Sequence, residues 1–175
     1  MKRWSLPSVI LVLMCQMVVT PQSLPQKVTG DVTVLQAYEG SWKLVIDNVA
    51  TKYSTVSHEE KYLRNDCWHS GSYYACNQYV DGDSKLLLVF TFDATKQIYT
   101  SYQVPLDGSA ASSGTLEIRD NTWTYPWVIV DGGHAIYFHV VNVFKSPTEI
   151  EYRREFSFDR VNWVVMARGK ETKTK

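Results

Sequence analysis

The sequence has little of what marks a helical, nucleic-acid-binding or membrane-embedded protein. Helical periodicity is almost absent from its 175 residues, which excludes a helical bundle. Basic and acidic residues number 18 each, and no basic run alternates with aromatic residues, so we predict no nucleic-acid partner. The C-terminal KETKTK run is short, and we expect it to be a solvated tail. No apolar run reaches the roughly 20 residues that a membrane-spanning helix needs.

Sequence patterns of catalytic and metal sites are missing as well. There is no HExxH motif and no second cysteine pair, so we expect neither a zinc site nor another metal or cofactor. His134 and His139 differ by five positions, which places them on opposite faces of a strand. The run GSAASSG (108–114) is not a G-x-S-x-G nucleophile motif, and no residue stands out as catalytic.

The N-terminal segment differs from the rest of the chain. Lys2 and Arg3 precede an apolar run over 9–19, which is typical of a secretory signal peptide. We predict a signal over 1–23 and one domain over 24–175, with an ordered core from about 33 to 170, in a secreted or periplasmic protein. Cys15 could suggest a lipoprotein anchor, but the residue before it, Met14, is not small.

Removal of this segment would change both the charge and the cysteine content. Loss of Lys2 and Arg3 from the 18 basic residues leaves 16 against 18 acidic, which predicts no strong electrostatic partner. Cys67 and Cys76 would be the only cysteines left, in a compartment where disulfides persist. A zinc knuckle and a reactive thiol beside His69 are the alternatives for this pair.

Hairpin geometry tests the disulfide. If Gly71 and Ser72 form a two-residue type II′ loop, Ser70 faces Tyr73 and Cys67 faces Cys76. The cysteines then occupy a non-hydrogen-bonded pair, whose Cα atoms approach within roughly 4.5 Å. This separation suits a disulfide, so we predict a bridge between Cys67 and Cys76.

The remaining chain reads as short strands joined by turns. In 40–47, Trp42, Leu44 and Ile46 alternate with more polar residues, and a short helix or turn over 31–40 precedes them. The connections contain Asp-Gly, Asp-Asn and Gly-Gly sequences that favour hairpins. We therefore predict an all-β fold, an antiparallel up-and-down barrel of eight to ten strands. The further strands are expected over 54–69, 73–80, 86–92, 97–104, 114–119, 122–130, 134–144, 149–158 and 161–170.

The order of several motifs resembles a known family. Gly40-Ser41-Trp42 resembles the G-x-W of lipocalin and calycin barrels, whose tryptophan plugs the closed end. The chain is similar over most of its length to a secreted bacterial family, domain of unknown function 1579, which implies a lipocalin-like barrel and export but no activity. It departs from the family at Arg160, where glycine is more usual, and at Arg168, where an acidic residue is usual. The motifs are LQAYEGSW, DCW with SYYAC, FTFDATKQIYTSY, SSGTLEIRDNTWTY, Gly132-Gly133, SPTEIEYRREFSFD and Trp163 followed by RGKETK.

Strand parity also indicates polar side chains inside the barrel. In the ninth predicted strand the apolar face includes Arg154, and an inward arginine needs a partner. In the second, the face that carries Val56 and Tyr62 also carries His58 and Glu60. We predict that Arg154 lies within hydrogen-bonding reach of Glu60 or opens onto a cavity lined by Tyr102, Trp123 and Trp127. The alternative is that Arg154 reaches the rim and Glu60 is solvated.

These residues lead to a functional hypothesis. We expect a non-enzymatic barrel that binds a small, partly apolar ligand. The sequence makes no prediction about its oligomeric state. The alternatives are a filled barrel with a structural or interaction role, or an enzyme that uses interior His58, Glu60 and Arg154. A cavity of about 300 Å³ would favour a ligand, and a strongly shifted carboxylate or histidine pKa within it would favour an enzyme. The predicted ligand-binding residues are Arg154, Glu60, His58, Tyr102, Trp123 and Trp127.

Overall fold

The computed structural model describes residues 31–174 and consists of one short helix and ten strands. The predicted signal peptide and Cys15 lie outside the described residues. Within residues 31–174, no helix has the length and apolar character to cross a membrane. The elements are the 3₁₀ helix η1 (Val32–Tyr38) and strands β1 (Gly40–Asn48), β2 (Ser57–Ser70), β3 (Tyr73–Val80), β4 (Asp83–Asp93), β5 (Ile98–Pro105), β6 (Ser112–Arg119), β7 (Thr122–Asp131), β8 (His134–Ser146), β9 (Glu149–Ser157) and β10 (Val164–Lys173).

The ten strands form a closed antiparallel barrel in which each strand pairs with its neighbours in sequence and β1 pairs with β10. This confirms the predicted all-β, up-and-down barrel with a short N-terminal helix. Gly169 makes the β1–β10 closure possible, because a Cβ atom there would lie 2.5 Å from the carbonyl oxygen of Val45. The backbones of β1 and β10 could not approach so closely with a larger residue.

Two predicted features at the C-terminus were wrong. The strand expected over 161–170 begins at Val164, because Asp159 accepts hydrogen bonds from the backbone N–H groups of Val161 and Asn162 and holds them in a turn. Arg160 in the same turn has φ of 64°, a conformation that favours glycine. The KETKTK run is not a solvated tail, because its first four residues complete β10 and pair with β1 and β9.

The β2–β3 hairpin has the predicted register. Ser70 pairs with Tyr73, and Cys67 pairs with Cys76 with their Cα atoms 4.0 Å apart. The disulfide between Cys67 and Cys76 is present. Gly71 has φ of 57°, as the first position of a type II′ loop requires.

The barrel wall is uneven in height. Near η1 all ten strands are paired, and we call this part the closed half. Further along the axis, 57–61 of β2 pairs with β1 but not with β3, and 125–131 of β7 pairs with β8 but not with β6. The pairing between β2 and β3 and that between β6 and β7 both stop before this level, which leaves the wall open there. We call this part the open half.

Trp42 and η1 seal the end of the closed half. Trp42 is fully buried, its ring stacks on Tyr38 at a centroid distance of 5.7 Å, and its indole N–H donates to the Tyr38 carbonyl. Leu35 of η1 is buried among the aromatic residues of the core. Asp31 caps η1 by accepting a 2.8 Å hydrogen bond from the N–H of Thr33. Gly40 at the start of β1 has φ of 101°, which places Trp42 next to η1.

Candidate functional site

The closed half surrounds a cavity of about 250 Å³, which we call the inner cavity. Its wall combines leucine side chains with aromatic rings and amides, as is typical of small-molecule sites. The inward positions of the strands supply this lining, because successive side chains of a strand alternate between the two faces. The lining residues are Leu35, Tyr38, Leu44, Leu63, Asn65, Tyr74, Cys76, Gln78, Leu86, Leu88, Phe90, Ser101, Gln103, Trp123, Tyr125, Val140, Asn142, Tyr152 and Glu171.

Glu171 is the one carboxylate among these lining residues, and it is only 2% exposed. The Tyr38 hydroxyl donates a 2.7 Å hydrogen bond to its Oε2 atom. Burial raises the pKa of Glu171 to about 7, although the Tyr38 hydrogen bond opposes the rise. Lys61 of β2 and Glu171 of β10 both lie opposite Leu44 of β1. The Lys61 ammonium group forms its ion pair with Glu59 and not with Glu171.

Three tyrosines surround Glu171. Burial, followed by the negative charge of Glu171, raises the pKa of Tyr38 and Tyr125. Burial also raises the pKa of Tyr152, with Arg154 opposing this shift and Glu171 adding to it. The Tyr38 hydroxyl contacts Glu171, and Tyr125 and Tyr152 line the same cavity.

The remaining polar groups of the inner cavity differ in how well they are satisfied. Asn65 donates to the Tyr38 carbonyl at 3.0 Å and accepts from Gln78 at 3.0 Å. Asn142 is buried, and its Oδ1 atom has no hydrogen-bond partner within the described chain. Such an unpaired buried acceptor is costly unless a ligand or water fills the space beside it.

A second pocket, of about 660 Å³, lies in the open half, and we call it the mouth pocket. It is more polar than the inner cavity, and the connection between β1 and β2 supplies much of its wall. Its lining residues are Asn48, Thr51, Lys52, Tyr53, Ser54, Thr55, Ser57, Glu59, Trp127, Ile129, Phe138, Arg154 and Met166.

Arg154 points inward at the base of the mouth pocket. Its Nη2 atom donates a 2.7 Å hydrogen bond to Oδ1 of Asn48, whose amide nitrogen donates to Ser57 and, at 2.8 Å, to Glu59. Glu59 also pairs with Lys61 at 2.6 Å. The inward orientation of Arg154 is therefore as predicted, but its partner is an amide that connects it to Glu59, and the expected contact with Glu60 is absent from the described residues.

The predicted interior positions of His58 and Glu60 were wrong. His58 is exposed and pairs with Asp47, and Glu60 pairs with Lys43 on the outer surface. The prediction assumed that the apolar residues Val56 and Tyr62 face inward, which would place His58 and Glu60 on the same inner face. Val56 instead lies before β2 and is 75% exposed, and Tyr62 faces outward beside Lys43. Strand parity failed because 57–61 faces the open half, where solvent allows charged residues on the inner side.

The aromatic predictions were partly confirmed. Trp123 is 3% exposed and lines the inner cavity, whereas Trp127 is 40% exposed and lines the mouth pocket, where it stacks on Phe138 at 5.4 Å. Tyr102 was placed wrongly, because Ser101 and Gln103 take the inward positions of β5 and Tyr102 is exposed on the outside. The predicted site residues thus divide among the inner cavity, the mouth pocket and the outer surface.

Sequence reasoning missed Glu171 because the KETKTK run was interpreted as a tail. A signal was present: only two positions separate the apolar residues 164–167 from this run. The disulfide register could also have corrected β2, since Cys67 and Leu63 share a face with Glu59 and Lys61.

No protein-family model matches the chain, and no curated protein matches it in sequence. The resemblance to domain of unknown function 1579 stays a prediction.

Proposed function

We propose that the chain is an exported, non-enzymatic barrel that binds a small, partly apolar ligand in its inner cavity. The supporting observation is a cavity of about 250 Å³ with a largely apolar wall, a buried carboxyl group and an unpaired amide oxygen on Asn142. Its volume is just under the roughly 300 Å³ at which pockets for drug-sized ligands begin, so the proposed ligand is smaller than that class.

Export is supported by the Cys67–Cys76 disulfide, because disulfides persist mainly outside the reducing cytosol. N-terminal sequencing of the protein from its host should find a first residue between 20 and 27. A chain that begins at Met1 in the host would contradict export.

The ligand-binding proposal can be tested by filling the inner cavity. Leu88→Trp places a large ring into the cavity, whereas Leu87→Trp places the same ring on the opposite face of β4. We expect mass spectrometry of the protein, purified from its host under non-denaturing conditions, to find a bound small molecule in the wild type and in Leu87→Trp but not in Leu88→Trp. A wild-type protein without any bound molecule, together with no binding of small neutral probes, would instead indicate a filled structural barrel.

The raised pKa of Glu171 favours an enzyme as a second candidate, since a carboxyl group that titrates near neutrality suits general acid or base catalysis. The predicted catalytic set is not assembled, because His58 and Glu60 lie outside the barrel while Arg154 lies inside. We therefore rank binding first. An enzyme would release a chemically altered ligand, which mass spectrometry of the same preparation detects.

A further inference from the structure

We infer that the ligand of the inner cavity carries a small organic cation, such as an amine, with Glu171 as its counter-ion and the rings of Tyr125 and Tyr152 beside it. This inference rests on the proposed ligand-binding function and narrows it to one chemical class. Four independent features of the inner cavity support it.

The first feature is the isolation of the carboxyl group. Glu171 is 2% exposed and lines the cavity, and within residues 31–174 no basic side chain forms an ion pair with it. Lys61 is engaged by Glu59, and Arg154 is held by Asn48. A buried carboxylate without a cation is unfavourable, so the site either keeps a proton or accepts a positive charge from elsewhere.

The second feature is two hydrogen-bond acceptors that the chain leaves incompletely satisfied. The Oδ1 atom of Asn142 has no partner in the described chain, and Glu171 receives only the Tyr38 hydroxyl. The strand register places Asn142 opposite Tyr152 on β9, one strand away from β10. A ligand that donates hydrogen bonds satisfies these oxygens, whereas a carboxylate or phosphate would meet the like charge of Glu171.

The third feature is the aromatic wall. The Tyr38 hydroxyl contacts Glu171, Tyr125 and Tyr152 line the same cavity, and Trp123 lies on the same inward face as Tyr125. A cation within about 6 Å of such ring centroids is stabilised by the negative ring face, and more so where water is excluded. A carboxylate together with several tyrosine rings is a suitable environment for an ammonium group.

The fourth feature is the apolar remainder of the cavity. Leu86 and Leu88 line the side towards β4, and Gln103 lies exposed at its rim. A ligand with the cation at Glu171 would therefore place a short apolar body against the leucines. Together these features favour an amine with a small hydrocarbon or aromatic part over a bare inorganic cation.

The test compares three probes of similar shape and different charge by isothermal titration calorimetry at pH 7.5. They are 2-phenylethylammonium, the neutral 2-phenylethanol and the anionic 3-phenylpropanoate. We expect the ammonium probe to bind wild-type protein at least tenfold more tightly than the alcohol, and the anion to bind least. Glu171→Gln keeps an acceptor for the Tyr38 hydroxyl, and it should weaken the ammonium probe at least tenfold while changing the alcohol by less than twofold.

Glu60→Gln is the matched control, because it removes an outer-surface carboxylate that pairs with Lys43 and leaves the inner cavity unchanged. It should bind all three probes as the wild type does. If Glu171→Gln fails to fold, the relative affinities of the three probes for the wild-type protein still test the inference.

The outcomes separate this inference from the proposed function. If the alcohol binds as tightly as the ammonium probe, or if Glu171→Gln keeps the ammonium preference, the cation inference is wrong while ligand binding stands. If none of the probes binds and no ligand accompanies the protein from its host, the proposed function fails and this inference fails with it.

Discussion

The closed and open halves of the barrel place acidic residues at inward positions of the two strands that flank β1, yet these residues have opposite electrostatic properties. In the closed half, burial raises the pKa of Glu171 to about 7. In the open half, the hydrogen bond and charge of Lys61 lower the pKa of Glu59. An inward direction alone does not determine the environment of a side chain. What differs is whether the surrounding wall is complete enough to exclude water.

Two tryptophans show the same contrast in packing. Trp42 is fully buried between η1 and the barrel wall, whereas Trp127 is 40% exposed although it also faces inward. Packing in the closed half should therefore contribute more to the free energy of unfolding than packing in the open half. The following predictions test this comparison, beginning with the largest expected effect.

Replacing Trp42 should have the largest effect on stability. We expect Trp42→Ala to lower the free energy of unfolding by roughly 3 to 5 kcal/mol, because it leaves a cavity between η1 and β1. Trp127→Ala should lower it by about 1 to 2 kcal/mol, since only a partly exposed stack on Phe138 is lost. Urea denaturation followed by circular dichroism measures both, and equal losses would contradict the proposed contrast between the halves.

The pH dependence of stability should differ between the two carboxylates. The folded-state pKa of Glu171 is raised from 4.5 to about 7, so the unfolded chain loses its proton first as the pH rises. The wild type should therefore lose roughly 3 kcal/mol of unfolding free energy between pH 4.5 and pH 7, and Glu171→Gln should not show this loss. Glu171→Gln should consequently be the more stable protein at pH 8.

Glu59→Gln should behave in the opposite way. The lowered pKa of Glu59 stabilises the folded state above pH 4.5, and this contribution is lost as the pH falls through its folded pKa. The variant should be less stable than the wild type at pH 7 and equally stable in strong acid. Urea denaturation across this pH range checks both carboxylates, and parallel pH profiles would show that the halves do not differ in dielectric environment.

Removing the disulfide should weaken the closed half. We expect the double substitution Cys67→Ala and Cys76→Ala to lower the free energy of unfolding by roughly 2 to 3 kcal/mol, because the unfolded chain gains the freedom that the bridge removes. Asp66→Ala, an exposed change in the same strand, should stay within about 0.5 kcal/mol of the wild type. Thiol titration of the unfolded, unreduced protein should find neither Cys67 nor Cys76 reactive, and reactive thiols at both would disprove the bridge.

The smallest effect is expected at the base of the mouth pocket. Asn48→Ala should lower the free energy of unfolding by about 2 kcal/mol, because the half-buried Arg154 guanidinium loses its partner. The combined change with Arg154→Met should cost less than the sum of the single changes, since no unpaired charge then remains. Additive losses in this double-mutant cycle would indicate that the two side chains do not depend on each other.

Much of the fold could be predicted because its signals are local. The Gly71-Ser72 loop set the register of β2 and β3, and this register brought Cys67 and Cys76 together. The alternation of Trp42 and Leu44 identified the inner face of β1 for the same reason. Turn chemistry and strand period act over a few residues, so they can be read without knowing the neighbours of a strand.

The candidate site was less predictable because its environment depends on distant strands. Arg154 was correctly placed inside, but its partner Asn48 is 106 positions away in the chain. His58 and Glu60 were misplaced because the missing wall beside β2 permits Glu59 and Lys61 on the inner side. The local sequence shows neither which distant residue Arg154 contacts nor where the barrel wall is incomplete.

The sequence by itself determined the strand character, the turns and the disulfide, because each follows from residue type and short spacing. Only the tertiary structure decided that β10 extends through Lys173 and pairs with β1, which buries Glu171 among three tyrosines. The same Lys-Glu-Thr-Lys run would be solvated on an open sheet edge. Closure of the barrel excludes water from the inner face of β10. This closure desolvates Glu171, which lies at the centre of the candidate site.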